Sequence, residues 1–264
     1  MITTHLFAAQ ALTAIKKEYP ICFMQIATDY VSIPFWEETN PDYFVIPSKE
    51  LQKDFQYKGM KPERILPLGI PVAKAYREEY KIEECKEKLN LEINKKYILL
   101  LTGSMGFGNV IQMVEELEKN IKDVGLIISC GNNTKLLRDL RDKYGENNPS
   151  IVLLAYTNIL SQYMKSSEII LSKPGGLTTT EIATLRKPLI HTMPIPGCEN
   201  YNANFFSSRK MSIQCNTIEE VVKNTKKLLE NQKLQEEMIE KQKQYINREA
   251  TDEITEVILK EISK

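Results

Sequence analysis

Apolar residues in this chain gather into short runs of four to seven, and most runs break at glycine, proline or a Thr-Asp pair. Residues 21–27, 43–46, 64–68, 97–101, 124–130, 151–154, 168–172 and 189–191 read this way as buried strands. Between them the apolar positions recur at helical spacing. This predicts helices over 6–17, 49–59, 82–90, 110–122, 135–144, 159–166, 178–185 and 202–209, with a helical tail at 218–229, 233–245 and 251–262. Ser48 fits an N-cap and Gly59 a stop for the second of these. Residues 1–5 run straight into the first helix, so no strand is expected before it.

Strands that alternate with helices of about a dozen residues predict an α/β fold with parallel, doubly wound sheets. The charged stretch 72–96 reads as a linker and the first helix of a second domain. The expected division is 1–72, 73–245 and a C-terminal helical segment, 246–264.

Composition narrows the chemistry. Lys plus Arg (35) balances Asp plus Glu (35), so no overall field draws nucleic acid. The five cysteines (Cys22, Cys85, Cys130, Cys198, Cys215) form no C-x-x-C pair, there are two histidines, and no D-x-D triplet occurs. A metal site is therefore not expected. Scattered thiols without a signal peptide suggest a reducing, cytoplasmic setting. No apolar run approaches the roughly 18 residues of a spanning helix, so the membrane contact to expect is peripheral.

Glycine-rich turns follow three strands, at 103–108, 131–133 and 175–176. In an open parallel sheet, ligands bind outside the carboxyl ends of the strands, where such turns collect. A turn that opens a helix offers unpaired N–H groups and the positive end of the helix dipole to a phosphate. In Lys173-Pro174-Gly175-Gly176-Leu177-Thr178-Thr179-Thr180-Glu181, the glycines allow close approach of an anion and the threonines add hydroxyls. Glu181 would reach a ribose diol. Taken alone, this segment reads equally as an ordinary βα loop. A second segment, residues 193–202, has two prolines and a glycine that stiffen a loop carrying Glu199, Asn200 and Asn202; without context it is equally a plain connection, with Asn202 capping the next helix.

In combination, Ser172 to Glu181 followed by Pro194-Ile195-Pro196-Gly197-Cys198-Glu199 and Asn202 resembles the donor site of the GT-B glycolipid glycosyltransferases. These are the monogalactosyldiacylglycerol synthases and processive diacylglycerol glucosyltransferases. Thr4-His5-Leu6-Phe7, Ala27-Thr28-Asp29-Tyr30, Pro34-Phe35-Trp36 and Asp42-Tyr43-Phe44-Val45 resemble that family's acceptor side. The resemblance implies a GT-B fold: one complete Rossmann-like C-terminal domain, a partial N-terminal one, and a last helix that packs back on the N-terminal part. It implies a metal-independent, inverting transfer of a hexose from a UDP-sugar to a diacylglycerol-type lipid, with no other cofactor, at the inner face of the cell membrane. Donor contacts carried over are Gly103, Ser104, Met105, Gly131, Asn132, Tyr156, Thr157, Lys173, Pro174, Gly175, Gly176, Leu177, Thr178, Glu181, Pro196, Gly197, Cys198, Glu199 and Asn202. Within that set, Gly175, Gly176 and Thr178 would hold diphosphate, Glu181 the ribose, Tyr156 and Thr157 the uracil, and Glu199 with its neighbours the hexose. His5 and Asp29 are the candidate catalytic pair.

Two departures qualify the resemblance. Cys198 stands where the family has glutamine, and a thiol is a weak hydrogen-bonding group. The family's opening strand, glycine-rich turn and histidine have no counterpart here, and Leu6 replaces a proline after His5. The alternative expectation is a shortened relative that only binds UDP-sugar or needs a separate N-terminal chain. A nucleotide-sugar epimerase is a third reading, for which no catalytic pair stands out.

Overall fold

The computed structural model describes residues 1–103, 109–146 and 148–263. Its strands are short and apolar on both faces, as expected of parallel strands covered on both sides, and they form two separate parallel sheets. The first has the order β1-β2-β3-β4, from β1 (Ile2–Thr3), β2 (Met24–Ile26), β3 (Tyr43–Val45) and β4 (Ile65–Leu66). The second contains β5 (Lys96–Leu101), β6 (Val124–Ser129), β7 (Ile151–Leu154), β8 (Ile169–Ser172), β9 (Leu189–Thr192) and β10 (Ile213–Cys215). Its order is β10-β9-β8-β5-β6-β7. The chain leaves β5 toward β6 and β7 on one side, then returns to place β8, β9 and β10 on the other. The switch point of this dinucleotide-type order therefore lies between β5 and β8.

The helices are α1 (Leu6–Ile15), α2 (Gln52–Tyr57), α3 (Ile82–Lys88), α4 (Val110–Asn120), α5 (Thr134–Tyr144), α6 (Leu160–Ser166), α7 (Gly176–Thr184), α8 (Cys198–Ser208), α9 (Ile218–Glu230), α10 (Gln232–Tyr245) and α11 (Ala250–Ile262). The last crosses back to the first sheet. Ile254, Val257 and Ile258 cover Met24, Ile26 and Val45. The Asn247 amide donates to the Leu68 carbonyl at 2.8 Å, and the Thr251 hydroxyl to that of Val72 at 2.9 Å.

Five elements differ most from the sequence reading. Residues 2–3 do form a strand, in register with Met24 and Gln25; two residues are too few to show a period. Strand β10 escaped notice for a similar reason, since only Cys215 of its three residues is fully buried. The helix expected over 49–59 begins as a 3-10 turn, and Ser48 makes no cap bond to it. Its hydroxyl is taken by the Glu50 carboxylate. Helices α7 and α8 start at Gly176 and Cys198, two and four residues earlier than their polar composition suggested.

One apolar cluster joins the two sheets. Ala27, Tyr30 and Phe44 of the first half pack in the same body of buried residues as Leu99, Ile182 and Phe205 of the second. Tyr30 stacks on Phe205 (4.7 Å between centroids) and meets Phe206 edge-on (4.9 Å).

Candidate nucleotide-sugar site

The carboxyl ends of β5, β6 and β8 surround a cavity of about 410 Å³ at the switch point. It is lined by Thr102 and Gly103 after β5, by Gly131 and Asn132 after β6, and by Lys173, Gly175 and Thr178 after β8. Tyr156, Leu160, Ile195 and Glu199 close the sides. Gly103 (φ 74°) and Gly131 (φ 55°) adopt the left-handed conformation that tightens both turns.

Two helices that start beside this cavity, α7 and α8, have glycine at the N-cap position. The side chains of Asn109, Asn133, Thr217 and Asn231 cap α4, α5, α9 and α10. Helices α7 and α8 instead begin after Gly175 and Gly197, which have no side chain to offer. The first-turn N–H groups of Gly176, Leu177 and Thr178 thus lack an intrahelical acceptor and a side-chain cap. A negative group in the cavity would satisfy them and meet the positive end of the α7 dipole. Lys173 adds a half-buried ammonium, whose pKa is lowered by burial against the opposing influence of Glu199. The Glu199 carboxylate is fixed by the Ile195 N–H at 2.9 Å.

Residues 97–254 match the model of the glycosyltransferase family 28 C-terminal domain. The chain belongs to glycosyltransferase family 28. Residues 1–72 of this family 28 chain match the model of monogalactosyldiacylglycerol (MGDG) synthase. It is similar to the processive diacylglycerol beta-glucosyltransferase of Bacillus subtilis (strain 168), 30% identical over 242 residues, covering 90% of this chain and 62% of that enzyme. The chain thus spans about three fifths of the length of the first curated relatives it matches. Among solved structures it is similar to MurG of Acinetobacter baumannii (TM-score 0.69, 15% identity, 98% of this chain and 72% of that one). A putative UDP-N-acetylglucosamine 2-epimerase of Listeria monocytogenes is comparable (TM-score 0.71, 17% identity, 97% and 72%). The chain has the GT-B fold, with two Rossmann-like α/β sheets.

Among the donor contacts expected from sequence, Gly103, Gly131, Asn132, Tyr156, Lys173, Gly175, Thr178 and Glu199 are gathered on the cavity. Ser104 and Met105 lie outside the described residues. Thr157 accepts from the Ile159 N–H (3.2 Å) and stands behind Tyr156, off the cavity lining. Pro174 is buried, while Leu177, Pro196 and Gly197 are exposed beside the opening without lining it. Gly197 has φ 119° and ψ −143°, a conformation that demands glycine.

Three expectations need correction. Gly176 does not owe its small size to an anion: a Cβ there would lie 1.9 Å from the Thr28 carbonyl oxygen and 3.1 Å from Asp29 Cα. Its missing side chain is what lets the two halves meet. Gly175, by contrast, has nothing within 4 Å of such an atom and faces the cavity. Second, of the three threonines only Thr178 lines the cavity. Thr179 pairs with His191 (3.2 Å), while Thr180 donates to the Gly176 carbonyl (2.7 Å) and pairs with the Tyr30 hydroxyl (2.8 Å). Third, Asn202 is not a loop residue offered to a sugar. It is fully buried inside α8, accepting from the Tyr30 N–H (2.7 Å) and donating to Asp29 (2.8 Å) and the Pro174 carbonyl (2.9 Å).

Glu181 sits one turn behind Thr178, off the cavity lining, with its carboxyl pushed up to about 7 by burial. Its charge raises Tyr76 in the connection between the halves, although burial is the larger cause there. Cys198, the first residue of α8, has its thiol raised by burial and then by the Asp29 charge. His191 is fully enclosed, bonded to Thr179 and to Ser212 (3.1 Å), and burial lowers it to about 3. It is a neutral link between α7 and β9. Exposed His5 caps α1, its Nδ1 accepting from the Phe7 N–H at 3.3 Å, and no hydrogen bond joins it to Asp29 among the described residues. Sequence reasoning also missed Thr102, Leu160 and Ile195 as lining residues, because their chemistry carries no ligand signal. Among the described residues, no helix is long and apolar enough to cross a membrane.

Proposed function

We propose that this chain transfers a hexose from a UDP-sugar to a diacylglycerol-type lipid; its curated relatives are named processive diacylglycerol beta-glucosyltransferases. The observation that carries this reading is the cavity at the β5/β8 switch point, where α7 starts uncapped beside Lys173. In this reading Tyr156 and the turn after β6 border the uracil. The N–H groups of Gly176, Leu177 and Thr178 hold the diphosphate, and Glu199 faces the hexose. Those N–H groups and Lys173 stabilise the negative charge that develops on the leaving nucleoside diphosphate, without a metal or further cofactor. Ribose contact through Glu181 requires its carboxylate form, which can accept both hydroxyl protons.

Of the two catalytic candidates the geometry favours Asp29. Exposed His5 already uses Nδ1 to accept from the Phe7 N–H, and it makes no hydrogen bond to Asp29 among the described residues. Asp29 keeps a carboxylate oxygen with no hydrogen-bond partner among the described residues, able to take the acceptor's hydroxyl proton as the inverting attack proceeds. The exposed Phe35, beside buried Trp36, supplies apolar surface for a lipid and for peripheral contact with a membrane.

Calorimetric titration with UDP, followed by transfer from radiolabelled UDP-sugar to diacylglycerol vesicles, tests the proposal. Saturable UDP binding weakened by Gly175→Val, together with labelled glycolipid, is the expected result. Binding without glycolipid would leave a UDP-sugar-binding protein, and no heat with any uridine nucleotide would refute the donor site itself.

A further inference from the structure

We propose that the hexose end of the donor cavity is completed by the first half of the chain: the Asp29 carboxylate contacts hydroxyls of the hexosyl group, and Asn202 is the positioning residue that holds it there. The inference rests on the donor reading above and adds a residue from the opposite sheet to it.

The contact between the halves is made at the starts of α7 and α8. The Thr28–Asp29 backbone lies so close to Gly176 that no side chain fits between them. Gly175, the preceding residue, lines the cavity, so Asp29, itself outside that lining, stands one residue removed from it on the side of the first sheet. It also stands close to Cys198, whose thiol responds to its charge, and Cys198 precedes the cavity-lining Glu199. Asp29 here lies near the N-termini of two helices, α7 and α8.

Asn202 then fixes where that carboxylate points. Its side-chain amide makes three short bonds at once: from the Tyr30 N–H, to Asp29 Oδ1, and to the Pro174 carbonyl. Pro174 adjoins the phosphate turn, so one buried amide sets Asp29 against the segment that would carry the diphosphate. With Oδ1 committed to Asn202, the other oxygen has no hydrogen-bond partner among the described residues and is available to a hydroxyl. A sugar offers such donors in fixed geometry, and the UDP portion offers them only at the ribose, at the other end of the site. Loss of Asp29 should therefore separate recognition of the hexose from recognition of UDP.

The test compares UDP with UDP-glucose and UDP-galactose by calorimetry, using full-length wild type, Asp29→Asn, Asn202→Ala and Tyr30→Phe. A hydrogen bond to a charged group contributes roughly tenfold or more in affinity. Asp29→Asn should raise the ratio of UDP-hexose Kd to UDP Kd about tenfold for the better-bound sugar, with UDP binding kept within about twofold. Asn202→Ala should raise the same ratio. Tyr30→Phe, which loses the bond to Thr180 but keeps the Tyr30 N–H to Asn202, should lower stability and leave the ratio alone. An unchanged ratio in Asp29→Asn overturns the hexose contact, as does a wild type that binds UDP and neither UDP-hexose. A ratio raised by Asp29→Asn and unmoved by Asn202→Ala overturns the positioning role. Absence of UDP binding in wild type overturns the donor reading, and this inference with it.

Discussion

Adjacent glycines at 175 and 176 should respond in opposite ways to the same one-carbon addition. In Gly176→Ala the new methyl would sit 1.9 Å from the Thr28 carbonyl oxygen and 2.9 Å from its carbonyl carbon, both backbone atoms that cannot rotate away. Relief requires the two sheets to separate locally, which strains the Tyr30–Phe205–Phe206 aromatic packing and the Asn202 bonds. Overpacking of this kind costs about 1–3 kcal/mol. Gly175→Ala meets nothing within 4 Å, and its φ of −68° suits alanine. The two effects there are small and opposed: reduced freedom of the unfolded chain stabilises by about 0.4–1 kcal/mol, while alanine is a poorer N-cap than glycine by a similar amount. Stability should move by less than about 0.5 kcal/mol. That methyl would, however, project into the cavity and weaken UDP binding. Urea unfolding followed by circular dichroism, with UDP calorimetry on the same samples, reads both effects. Equal destabilisation by the two variants, or a stable Gly176→Ala, would refute the assignment of one glycine to the contact between halves and the other to the ligand.

Replacing Glu181 by glutamine removes a group whose folded-state pKa lies near 7 against an ordinary 4.5. Between those values the folded protein holds more protons than the unfolded one. Wild type should therefore lose stability relative to Glu181→Gln as pH rises from about 4.5 through 7, by about 3 kcal/mol at most, in urea midpoints measured across that range. If the ionised carboxylate holds ribose, wild-type UDP affinity should fall about tenfold between pH 8 and pH 6, and calorimetry of Glu181→Gln should show no such dependence. Tyr30→Phe deletes a buried 2.8 Å bond to Thr180 and should cost about 1–2 kcal/mol in the urea midpoint. Thr217→Ala, which uncaps α9 where its hydroxyl accepts from the Glu220 N–H, should cost about 1 kcal/mol with UDP binding untouched.

Most of the second sheet was legible because five of its six strands, β5 to β9, are four-to-six-residue apolar runs. Residues 151–154 form the expected strand without a shift, and the runs at 97–101 and 124–130 shift by one residue each. The first sheet was less so, because its strands are two or three residues long and carry little periodic signal. Helix starts misled where ligand-type residues occupy the first turn. A reading that seeks Ser, Thr or Asn as N-cap passes over Gly175 and Gly197 and places the starts too late.

The same ambiguity governs the site. A carboxyl-edge turn that approaches a diphosphate and one that approaches another polypeptide both require small residues and short polar side chains, so composition cannot assign Gly176, Thr180 or Asn202 to either. The structure separates them by what lies opposite: open cavity at Gly175 and Thr178, but the Thr28–Tyr30 backbone and hydroxyl at the other three. Because these two sets alternate within one motif, any shift of the first half against the second should reach the donor turn directly through Gly176 and Pro174. A buried amide with all its bonds made resists such a shift more strongly than apolar contact alone, since breaking it leaves unpaired groups in the interior. The motif is therefore better understood as a shared boundary, one face toward the cavity and the other toward the sheet that carries Asp29.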